Sequence, residues 1–228
     1  MPARRPTHYR RDALTLAVGV GVFGVAFGVF AVAAGLTIAQ ASAMSLLTFT
    51  GASQFAAVGV IGSGGSAAAA LGGALLLAAR NGLYGISLST TIEGRLPRRL
   101  LAAQLVIDES TGMAVAQAER EAAQHAFWFT GLAVFVCWNV GTLVGAVGGQ
   151  ALGDPTAFGL DAAFPAGFIA LLAPLVRDRR TRTAAGAGAV LAAVTIPLLP
   201  AGAPILAASL GVVPALLLRD PPEREDRS

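Results

Sequence analysis

Apolar residues run along this chain in long blocks, at about 13–39, 43–62, 66–92, 100–118, 127–150, 158–176, 184–200 and 202–218, separated by short polar stretches. About 20 apolar residues in a helix span the ~30 Å hydrocarbon core of a bilayer, so the pattern predicts transmembrane helices, eight at most. The last two blocks are divided only by Pro200-Ala201-Gly202-Ala203-Pro204, the signature of a tight turn. The first block follows a basic leader, and Ala39-Gln40-Ala41 resembles a cleavage site. Its length of about 27 residues and the spans that follow nevertheless favour an uncleaved first helix. The expected fold is an all-α integral membrane bundle of about 6–8 transmembrane segments. Residues 1–12 are expected to form a basic cytoplasmic tail, 13–218 the transmembrane domain and 219–228 a charged cytoplasmic tail.

Charge tests that count. Arg4, Arg5, Arg10 and Arg11 place the N-terminus in the cytoplasm, and Arg177, Arg179, Arg180 and Arg182 belong there too. Eight full crossings satisfy both clusters and put Asp154 outside. They also put Glu93-Gly94-Arg95-Leu96-Pro97-Arg98-Arg99 outside, against the rule. Six crossings remove the conflict if one of the segments 43–62 and 66–92 is broken or re-entrant and 100–118 fails to cross. The Gly62-Ser63-Gly64-Gly65-Ser66 link makes a broken or re-entrant element near 62–66 the first candidate, since glycine lets the backbone leave the helical ladder. A faint internal echo, Thr50-Gly51-Ala52 against Phe164-Pro165-Ala166, suits a carrier built from repeats.

Composition agrees with the pattern. Of 228 residues, 55% are hydrophobic and 13% charged, against roughly a quarter charged in soluble domains, and the mean hydropathy is +0.68. The net charge of +3 rests on arginines in tails and loops, where they set topology, so nucleic acid is not an expected partner; the lipid bilayer is. Cys137 is the single cysteine, and His8 and His125 have no second ligand at metal spacing, so neither a disulfide framework, a metal site nor a cofactor is expected. No nucleophile and base stand together, and an enzyme is not expected.

Polar groups inside apolar blocks are the candidate chemistry, because lipid tolerates them only where protein or water satisfies them. Arg80 and Tyr84 are four residues apart and share a helical face. Arg80 could grip a substrate carboxylate by a bidentate fork, pair with Asp108, or snorkel to an interface. Asp108 and Glu109 are adjacent acids in an apolar segment, where a desolvated carboxyl can carry a proton; Gln104 and Asp108 share a face, with Gly112 next on it. The competing reading is an amphipathic cytoplasmic helix with its acids in water. Gln54, among small residues, suits either a zwitterionic substrate or an interhelical hydrogen bond. Asp161 reads as interfacial, and Trp138 and Asn139 as packing.

Four blocks resemble the AzlC-type branched-chain amino-acid permeases: Phe49-Thr50-Gly51-Ala52-Ser53-Gln54-Phe55, Ala79-Arg80-Asn81-Gly82-Leu83-Tyr84-Gly85-Ile86-Ser87-Leu88, Asp108-Glu109-Ser110 and Gly159-Leu160-Asp161-Ala162-Ala163-Phe164-Pro165. They stand in that family's order and at similar spacing across nearly the whole chain. Where the family shows Asn-x-Arg-His, this chain has Ala78-Ala79-Arg80-Asn81. The resemblance implies a multi-pass bacterial inner-membrane carrier that exports branched-chain amino acids without nucleotide hydrolysis, together with a small AzlD-type membrane partner. The combined expectation is a proton-coupled secondary transporter, with Gln54, Arg80, Asn81 and Tyr84 binding the amino-acid substrate and Asp108 and Glu109 coupling it to protons. A non-transporting membrane scaffold or assembly subunit is the alternative.

Overall fold

The computed structural model describes residues 6–152, 169, 173 and 176–218, and helix is the only regular structure among them. Segment 158–176, Asp154, Asp161, the Phe164-Pro165-Ala166 half of the echo, the 159–165 block and the 219–228 tail lie largely or wholly outside the described residues.

Among the described residues, three helices are long and apolar enough to cross a membrane: α1 (Pro6–Ala33), α4 (Ala67–Leu88) and α7 (Arg120–Leu152). Helices α1 and α7 run parallel. Tyr9 meets Phe129 near their starts, Gly24 meets Trp138 midway, and Gly149 meets Val29 near their ends. Small residues make this approach possible. A Cβ added at Gly28, Gly141 or Gly145 would overlap a backbone carbonyl oxygen of the other helix, and one at Gly24 would stand 2.6 Å from the Trp138 oxygen. Gly141, Gly145 and Gly149 recur every four residues, the spacing that lets two membrane helices touch backbone to backbone.

Between these crossings lie two pairs of short helices. The first is α2 (Ile38–Leu47) and α3 (Gly51–Gly62). At 10 and 12 residues they rise about 15 and 18 Å, half a bilayer each. Thr37 caps α2 reciprocally with Gln40, next to the end of α1. Helix α2 then descends along α7: Ser45 Oγ donates to Thr142 Oγ1 at 3.1 Å, and Phe49, just past the helix, packs edge-on against Phe135 at 5.0 Å. Gly51 sits on the Trp138 ring, after which α3 climbs beside α1. Phe55 contacts Phe27 and Phe30, and Gly62 ends beside Ala34. The pair is therefore a re-entrant hairpin that returns to the face where it began, with its tip at Thr48–Thr50 level with the middle of α7.

The second pair, α5 (Leu96–Gln104) and α6 (Asp108–Val115), enters from the other face. Helix α4 crosses and delivers the chain to the start of α7, where Gln124 Nε2 donates to the Thr91 carbonyl at 2.6 Å and Glu93 pairs with Arg120. Helix α5 rises past Trp128, whose ring carries the Arg98 guanidinium at 5.7 Å, to Leu105 against Gly131. Then α6 falls back, until Ala114 and Val115 again stand beside Arg120 and Ala123. Segments 43–62 and 100–118 thus do not cross as single helices. The Gln104–Asp108 shared face is corrected for the same reason: the reversal at Leu105–Ile107 separates the two residues.

The expected interruption at 62–66 is present as the turn joining α3 to α4, with Gly64 at φ +74° and Ser66 capping α4 through Ala69 N–H. The reversal at 48–50 is an additional one. After it, α8 (Arg179–Thr195), capped by Asp178, leads to Ala201 and Gly202 against that same turn, and α9 (Ala203–Ser209) and α10 (Val212–Leu216) run back until Arg180 donates to the Leu218 carbonyl. Of the described arginines, all but Arg80 gather at the face where α1 begins, here called the near face. With Cys137 replaced by Ala, Ser63→Cys should react with an impermeant thiol reagent from the face opposite an N-terminal tag, and Arg95→Cys from the same face as the tag. The reverse pattern would restore eight full crossings.

Candidate functional site

The two hairpin tips meet inside the bundle, and glutamines join them. Thr48 N–H still reaches the Met44 carbonyl at 3.0 Å, but the reversal at Thr48–Thr50 leaves later carbonyls of α2, Leu46 among them, without helical partners, a cost that lipid cannot relieve. Gln54, 1% exposed, donates from Nε2 to the Met44 carbonyl at 2.9 Å and ties α3 back to α2. Gln104, at the end of α5, donates from Nε2 to the Leu46 carbonyl at 2.8 Å and ties the second tip to the first. Ser110 secures its own reversal: its Oγ accepts from Ile107 N–H at 3.2 Å and donates to the Leu105 carbonyl at 2.6 Å. Gln54 Oε1 has no protein partner among the described residues, so one half of that amide holds the fold and the other is an acceptor facing the junction.

Arg80 lies on α4, about two-thirds of the way towards the near face, opposite the N-terminus of α6. Its Nη1 stands 2.8 Å from Asp108 Oδ2, and each side chain keeps 42% of its surface accessible. Tyr84 stands one turn below Arg80 on the same face of α4, on the side that meets Asp108. Asp108 and Glu109 occupy the first turn of α6, where the positive end of the helix dipole favours a carboxylate. Glu109 is half-buried beside the pair, and Asn81 is half-buried on the adjoining face of α4. One turn further along α6, a Cβ at Gly112 would meet nothing within 4 Å, so the surface of α6 is open there. Among the sequence-predicted residues, Arg80, Tyr84 and Asp108 come together, Glu109 and Asn81 flank them, and Gln54 belongs to the tip junction.

An arginine and an aspartate held this way present opposite charges side by side, away from either end of the long helices. The arrangement matches a zwitterion group for group: guanidinium to carboxylate, carboxylate to ammonium. Sequence reading missed Gln104 and Ser110 as the residues that shape the junction. The available signal was Ile107-x-x-Ser110, in which a short hydroxyl side chain can serve an amide freed by a chain reversal.

The family model described as AzlC protein matches residues 15–152, the stretch that holds α1 through α7, both hairpins and the ion pair. The chain belongs to the AzlC family. This is a transporter family associated with branched-chain amino-acid transport, and with its apolar crossings the chain is a membrane protein of that family. No curated protein and no solved structure matches the chain.

Proposed function

We propose that this AzlC-family chain is a secondary transporter that exports branched-chain amino acids across the bacterial inner membrane in exchange for protons. The observation that carries the reading is the Arg80–Asp108 ion pair, held between a crossing helix and the tip of a re-entrant hairpin with both side chains still accessible. The near face, with its arginines, is cytoplasmic by the charge rule. In the resting state Asp108 stands in for a substrate carboxylate on Arg80. An arriving amino acid inserts its carboxylate at Arg80 and its ammonium at Asp108, so one ion pair is replaced by two. Tyr84 keeps the Asp108 carboxylate oriented, and Asn81 lines the same face. The small apolar substrate side chain lies towards the open space at Gly112.

Proton coupling follows from the same carboxylate. A proton on Asp108 removes the charge that holds the ammonium, so proton and substrate exclude one another, the condition for exchange. Glu109, one residue on, supplies a second acid for proton delivery. Gln54 contributes its free Oε1 at the tip junction, and a small AzlD-type membrane partner completes the carrier. Asp108→Asn should bind leucine more weakly than the wild type, and its binding should no longer compete with protons. A wild-type affinity that rises on acidification would exclude exchange and indicate co-transport.

A further inference from the structure

At the near face, the last turns of α4 and α6 and the first turn of α7 wall a half-open cavity of about 340 Å³. Leu88, Ala114, Val115 and Ala123 give it an apolar side, and Glu119 and Arg120 a charged rim. Arg120, which lines it, is also paired with Glu93 from the loop after α4. The cavity lies about seven residues along α4 and α6 from the Arg80–Asp108 pair, roughly 10 Å at the helical rise. Its volume is at the small end for ligand pockets, which suits a single amino acid.

The chemistry of the rim repeats that of the inner pair. The cavity lies where α4 and α6 end, at the negative ends of their dipoles, and where α7 begins, at its positive end. A zwitterion seated there has Arg120 for its carboxylate, Glu93 or Glu119 for its ammonium, and Val115 with its apolar neighbours for an aliphatic side chain. We infer that this cavity is a second, near-face station for the same class of substrate, an aliphatic α-amino acid, which the Glu93–Arg120 pair admits before transfer to Arg80–Asp108. This rests on the transport reading above and adds a site to it.

Arg120→Gln tests the station in proteoliposomes of known orientation. The expected result is a KM for leucine offered at the near face raised about tenfold, the loss of one charged hydrogen bond, with the KM at the far face within about twofold of wild type. Equal rises at both faces, or no rise at either, overturn the station while leaving transport standing. A second measurement is independent of flux: in a Cys137→Ala background, leucine should slow modification of Val115→Cys from the near face, and Arg120→Gln should abolish that protection. Absence of protection overturns the station even if the wild type moves no leucine. Protection without flux keeps the station and removes the transport proposal.

Discussion

Replacing Arg80 with Ala is expected to lower leucine flux roughly thirtyfold while the protein still assembles. Losing a hydrogen bond to a charged group costs about 1.5–3 kcal/mol, and the accessible Arg80–Asp108 pair itself adds little, so about 2 kcal/mol is expected. The loss combines two effects: the substrate carboxylate loses its fork, and Asp108 loses the charge that keeps it ready for an ammonium. Lysine at position 80 should restore only part of the flux, since a point charge cannot reproduce the planar fork. The double change Arg80→Ala with Asp108→Ala separates a carrier from a scaffold. A scaffold whose charges only neutralise each other keeps its assembly and its function; a carrier keeps its assembly and recovers no flux. Initial rates of leucine efflux at equal protein density make the comparison, with size-exclusion profiles confirming assembly.

Gly145→Leu is expected to remove most folded protein from the membrane. A Cβ at Gly145 already overlaps the Val25 carbonyl group, so the rest of a leucine side chain must push α1 and α7 apart. Overpacking costs about 1–3 kcal/mol and sometimes more; here the obstacle is backbone, which cannot rotate away, so the upper end or beyond is expected. Gly148→Leu is the matched control, because a Cβ there meets nothing within 4 Å. The yield and thermal midpoint of detergent-extracted protein should fall sharply for the first variant and stay near wild type for the second. Equal behaviour would mean that the α1–α7 contact does not hold the bundle together.

Hydropathy made the membrane class legible, and the shared face of Arg80 and Tyr84 followed from helical spacing, as α4 bears out. The reversals were less visible for a physical reason. A hairpin of 25 apolar residues and a single crossing helix bury the same side chains, so hydropathy assigns both to the membrane without distinguishing them. Thr48-Phe49-Thr50 and Leu105-Val106-Ile107 contain neither glycine nor proline. Their backbone groups are satisfied by residues several positions away, Gln54, Gln104 and Ser110, which local reading treats as isolated polar residues. The conspicuous glycines at 62–65 mark an ordinary helix-to-helix turn at the surface. The arginines of the 93–99 loop carried the topological information: as part of eight crossings they broke the charge rule, and with two re-entrant hairpins they lie on the same face as Arg10 and Arg11. The α1–α7 contact was hidden differently, since glycines spaced by four in an Ala/Gly-rich chain show that close approach is possible without naming the partner helix.

The central claim is that this chain moves an aliphatic amino acid outward against an incoming proton. Purified protein with its small membrane partner, reconstituted into liposomes preloaded with labelled leucine or isoleucine and given a proton gradient directed inward, tests it most directly. Efflux faster than from empty liposomes, slowed when an ionophore collapses the gradient and lost in Asp108→Asn, is the predicted result. Efflux no faster than from empty liposomes for any amino acid would contradict it.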